Sequence, residues 1–92
     1  YLAADVDPQS LAIGQRSHSF DRAGLERDRN LGFPLDRLRE MAAAGEIGSL
    51  APRHLSVMGS ITAPGRLVKE TAPAAAAALV ADGVDVALLV PL

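Results

Sequence analysis

The carboxyl-terminal stretch Asp82-Gly83-Val84-Asp85-Val86-Ala87-Leu88-Leu89-Val90-Pro91-Leu92 constrains this fold more than any other part of the chain. Its Asp-Gly pair is turn chemistry. The run that follows has no polar face to give to water, so it reads as a strand buried on both sides. Such a strand needs a sheet with helices above and below it. Reactive groups in open α/β sheets sit just beyond the carboxyl ends of strands, which puts the expected site at or after Leu92. The expectation is therefore one partial α/β domain over residues 1–92, a piece of a larger parallel sheet cut at both ends. Tyr1 is not a start methionine, and the opening Tyr1-Leu2-Ala3-Ala4 has no signal-peptide pattern.

A second strand signal lies upstream, where His54, Ser56 and Met58 alternate with Leu55 and Val57 until Gly59. Between the two strands Leu67, Val68, Ala72, Ala75, Ala76, Leu79 and Val80 make a helical stripe, and the alanine run Ala74–Ala78 favours helix. Pro73 removes a rung of that helix, which predicts a kink or a restart with Thr71 as N-cap. Strand, helix, strand over about 53–90 is a βαβ unit, with Leu55–Met58 and Val84–Val90 as parallel neighbours.

A helix is predicted over about 34–44. Pro34 suits its first turn, Leu35, Leu38, Met41 and Ala42 share one face, and Gly45 ends it in a left-handed cap. Asp36, Arg37, Arg39 and Glu40 are assigned to its solvated face. Residues 1–32 read as loop-rich. The charged stretch Arg16–Asn30 is a long polar loop with a helical turn around Leu25, held by local Arg–Asp pairs.

Composition narrows the function classes. The net charge is −2, and the arginines are interleaved with acids, so no phosphate-tracking surface and no nucleic-acid partner are expected. Asp82 and Asp85 interrupt the one apolar run, which falls short of the roughly 20 residues a membrane span requires. The chain has no cysteine, hence no disulfide or thiolate metal site of its own. His18 and His54 lack zinc-motif spacing, and the Gly59–Gly65 loop has neither a Walker lysine nor a dinucleotide fingerprint, so no metal or cofactor is assigned to these residues. His54, on a strand face, suits a structural role. His18, in the polar loop, is the better proton-transfer candidate, since an ordinary imidazole titrates near 6.5. A cytoplasmic location is the expectation in the absence of a targeting segment.

Several pieces taken in order have a family character. Ser17-His18-Ser19-Phe20-Asp21-Arg22, Asp28-Arg29-Asn30, Phe33-Pro34-Leu35-Asp36-Arg37-Leu38-Arg39-Glu40, Gly45-Glu46-Ile47-Gly48, and Ala51-Pro52-Arg53-His54 through Met58-Gly59 resemble the selenoprotein B family of glycine, sarcosine, betaine and D-proline reductases. Glu70-Thr71-Ala72-Pro73 and Asp82-Gly83-Val84-Asp85 continue the resemblance, which runs from about Val6 to Leu92. It implies a reductase that cleaves a carbon–nitrogen bond at the α-carbon of an amino acid or N-methylated derivative. It further implies a selenocysteine or cysteine nucleophile just after Leu92, a thiol reductant, and partner subunits, one of which can carry a substrate-activating pyruvoyl group. His18, Asp21, Arg22 and His54 are the site-supporting candidates, and no catalytic residue is expected within the chain itself. Two other readings stand beside this one: a noncatalytic scaffold or subunit-interaction piece, and an α/β domain binding a small anion after Gly59 and Leu92.

Overall fold

A computed structural model describes residues 1–92. A short strand β1 (Leu2–Ala3) leads through a 3-10 turn (Pro8–Ser10) and an irregular stretch to α1 (Ala23–Arg27) and a second 3-10 turn (Arg29–Leu31). Then come α2 (Leu35–Ala43), β2 (Arg53–His54), a π-helical turn (Leu67–Thr71) and α3 (Ala72–Ala81).

Three residues are buried: Pro8, Leu25 and Leu35. Their positions explain which parts cohere. Leu25 lies on α1, Leu35 is fully enclosed at the start of α2, and Pro8 belongs to the 3-10 turn of the amino-terminal strap; all three elements pack on the second 3-10 turn. Pro34 offers no side-chain acceptor at the α2 N-terminus, and Asn30 supplies one from upstream: its Oδ1 accepts from the Asp36 amide at 3.0 Å. Both longer helices stop on a glycine. At Gly45 (φ +75°) the Gly45 amide donates to Ala42 O (3.1 Å) and the Glu46 amide to Met41 O (2.9 Å). At Gly83 (φ +70°) the bonds run to Val80 O (3.0 Å) and from Val84 to Leu79 O (3.1 Å). These are paired Schellman closures, and the left-handed residue in each costs a side-chain-free glycine little.

The sheet does not show the expected βαβ unit. The chain is a mixture of helices with one two-stranded antiparallel pair, β1 against β2, in the register Leu2↔His54 and Ala3↔Arg53. Neither Leu55–Met58 nor Val84–Val90 forms a ladder, and Val86, Leu88 and Leu89 lie exposed. A parallel pair buried on both faces needs flanking strands and helices on both sides, and a lone two-stranded unit cannot supply them. An antiparallel partner for the start of the strand signal is available in the first three residues, and that pairing forms.

At Pro73 the helix restarts where expected, with α3 beginning at Ala72, Thr71 in the N-cap position and Pro73 in the first turn, but without a side-chain cap. Thr71 makes no capping bond and stays helical (φ −69°, ψ −47°), while the turn before it widens so that the Ala72 amide donates to Leu67 O. Widening removes the clash of the proline ring with the preceding turn.

The carboxyl-terminal tail folds back over the second 3-10 turn. A β-carbon at Gly32 would stand 2.7 Å from Leu25 Cδ2 and 3.0 Å from Leu92 Cδ1. Gly32→Ala is therefore expected to destabilise the chain by about 1–3 kcal/mol, read as a lowered urea midpoint, because Leu25 is packed and cannot yield freely. Leu92→Ala in the same chain should recover part of the loss, and a Gly32→Ala midpoint equal to wild type would contradict this seating of the tail.

Candidate functional site

The polar residues converge on the junction of β2, α2 and the strap. Asp36 and Arg39, assigned by periodicity to a solvated face, are half-buried and paired at 3.0 Å. Arg39 Nη2 also donates to the carbonyls of Ala4 (2.7 Å) and Val6 (2.8 Å), clamping residues 1–10 against α2. Asp36 Oδ2 accepts from Asn30 Nδ2 (3.1 Å), and the same Asn30 group donates to Asp28 (3.0 Å). The Asn30 amide holds the Asp28 carboxyl below the usual carboxylate range. Only the Arg37–Glu40 pair behaves as a solvated salt bridge on this helix.

His54 sits at the centre of the junction. Its ring meets Phe33 edge-on, with centroids 5.5 Å apart and planes at 72°. Its Nε2 is buried with no hydrogen-bond partner. Burial first, and the Arg39 charge second, hold its proton affinity below that of an ordinary imidazole. Beside it Arg53 makes a two-point bond to Asp82 (2.7 and 3.0 Å) that joins β2 to the end of α3, and its guanidinium lies 5.3 Å from the Tyr1 ring centre. That bond raises the proton affinity of Arg53.

The other candidates lie elsewhere. His18 is exposed and makes no hydrogen bond. Asp21 Oδ1 accepts from the amide of Ala23, the first residue of α1, at 2.9 Å, and Arg22 reaches back to Gln15 O at 3.5 Å. The polar loop is thus held by side-chain contacts to backbone, and Arg29, which donates to Leu11 O (3.3 Å) and Leu25 O, does the same; the expected Arg–Asp pairs do not form there. No hydrogen bond or ion pair joins His18, Asp21, Arg22 and His54 to one another. His54 alone of the four lines a broad concavity of about 1850 Å³, together with Phe33, Met58, Leu79 and the tail Val84–Leu92. Asn30, Asp36 and Arg39 were not among the sequence candidates. Asn30 just ahead of a proline that cannot cap was the available signal.

No helix is long and apolar enough to cross a membrane. No solved structure matches the chain. It is 36% identical over 70 residues to the D-proline reductase subunit gamma of Acetoanaerobium sticklandii, an alignment covering 76% of this chain and 29% of that protein. The chain thus spans less than a third of that relative's length. Residues 11–91 match the glycine/sarcosine/betaine reductase selenoprotein B description, and on that match the chain belongs to the selenoprotein B family of glycine, sarcosine, betaine and D-proline reductases.

Proposed function

We propose that this chain is part of a reductase subunit that reductively cleaves the α-carbon–nitrogen bond of an amino acid or N-methylated derivative, of the glycine, sarcosine, betaine or D-proline type. The family match over residues 11–91 carries the reading, and the likeness to a D-proline reductase subunit supports it. Cleavage takes two electrons and two protons: the carbon–nitrogen bond breaks, carbon and nitrogen each gain hydrogen, and two thiols of the reductant become a disulfide. The nucleophile is a selenocysteine or cysteine placed directly after Leu92, acting as its anion. The tail that would carry it ends against Gly32 and borders the same concavity as His54, which is why His54 is preferred over His18, Asp21 and Arg22 as a site-supporting residue.

The partners in this reading are other reductase subunits, one able to carry a pyruvoyl group, together with a thiol reductant and the amino-acid-derived substrate, in the cytoplasm. Val86, Leu88 and Leu89, exposed here, would then face the interior of a larger parallel sheet in which Leu55–Met58 and Val84–Val90 are strands. The test is to read the frame beyond Leu92, express it with its partner subunits, and follow dithiol oxidation with glycine, sarcosine, betaine and D-proline. One amine bond cleaved per disulfide is expected, with loss of turnover when the residue after Leu92 is made serine. A frame that terminates after Leu92, or undiminished turnover by the serine variant, would leave the noncatalytic scaffold as the better reading.

A further inference from the structure

The strap is held by few bonds. Two ladder residues pair it with β2, the Ala4 amide donates to Pro52 O at 3.0 Å, and Arg39 grips two of its carbonyls. His54 is itself one of the ladder residues, opposite Leu2, and Arg39 is the charge that bears on its ring, whose buried Nε2 has nothing to bind. We propose that His54 is a proton-operated latch: uptake of one proton by its imidazole opens the β1–β2 pair and frees residues 1–10 from α2.

The surroundings offer a second proton no anion. From α2 the facing charge is Arg39, and the neighbouring carboxylate, Asp36, is already engaged by Arg39 and Asn30. Along β2, Arg53 turns to Asp82 and occupies both of its oxygens. From β1 the strand partner Leu2 is apolar, and Tyr1 lies beside Arg53. Further along the strap, Asp7 accepts from the Gln9 amide at 2.9 Å and Asp5 makes no ion pair. The Phe33 side of the junction, Leu31-Gly32-Phe33-Pro34, has no charge at all. A cationic ring there is desolvated against an aromatic edge and repelled by a guanidinium, and local opening restores it to water.

The sign follows from linkage. A base whose folded proton affinity is depressed contributes stability that is fully present above the unfolded value, about 6.5. That stability is lost as pH falls through the folded value. The test is amide-exchange protection at Ala4 and in β2, measured on the whole chain between pH 7.5 and 5, with the His54 ring titrated in parallel by NMR. Protection should fall with a limiting slope of about tenfold per pH unit, the signature of one linked proton, while α3 keeps its protection. His54→Gln should flatten the response, and His18→Gln should leave it intact. If His54→Gln does not fold, the wild-type comparison decides: strap opening must track His54 titration. Opening that persists in a folded His54→Gln chain, or a His54 titration that leaves the strap protected, overturns the latch.

Discussion

Leu35→Ala is expected to destabilise the chain by about 2–5 kcal/mol, the range for emptying a fully packed aliphatic site. The residue is wholly enclosed, and only two others in the chain are buried with it. The other two, Leu25 and Pro8, lie on α1 and the strap, so little further apolar core is left to hold α2 once this site is emptied. Marginal chains of this size have little stability to spare. The expected result is loss of the cooperative urea transition together with loss of α2 protection. Leu35→Met, which keeps volume, should lose less than about 1.5 kcal/mol. An alanine variant with a wild-type midpoint would show that α2 is anchored somewhere other than its first turn.

Arg39→Met is expected to have the second-largest effect, about 2–3 kcal/mol. Hydrogen bonds to a charged group contribute roughly 1.5–3 kcal/mol each where they are sheltered. Here two carbonyls and one carboxylate share a half-exposed guanidinium, and water replaces part of what is lost. The loss should be local: exchange protection disappears over residues 1–10 while α3 is unchanged. Arg39→Lys should rescue only partly, since an ammonium cannot reproduce the planar fork that spans both carbonyls and Asp36. The same Arg39→Met change removes the cation beside His54, so the imidazole should titrate closer to its ordinary value. A uniform loss of protection across the molecule would contradict the clamp.

Local signals in the sequence were readable where the cause is local. Gly45 and Gly83 end helices because only a left-handed residue closes the last turn, and Leu25 and Leu35 are buried on the helical turns expected of them. The partner of β2 was not readable. A strand signal states that a segment wants neighbours and does not state which; the first three residues, too short to carry a pattern, turned out to be the available edge. Asp36 and Arg39 were misplaced for a related reason. Helical periodicity sorts side chains by face, whereas this pair is drawn in by a strap that crosses the polar face from more than thirty residues away. The importance of Asn30 also comes from reach across a turn rather than from spacing. His54 could be singled out as a titratable group on a strand, but its unsatisfied nitrogen is a property of the packed junction alone.

The wide turn at Leu67–Thr71 bears on how length variation can be absorbed. Its closing bond spans five residues, from Leu67 O to the Ala72 amide, where a regular helix spans four. One residue is thus surplus to the helical count. Its excision would leave both flanks helical and in the relative phase they already hold, since the wide turn absorbs the extra residue locally. Everything downstream, including the Gly83 stop and the tail that ends on Gly32, keeps its own geometry in either length. Gaps of a single position among related chains should therefore gather at this turn, where a widened loop of backbone takes up the extra residue that would elsewhere shift the register of the whole helix.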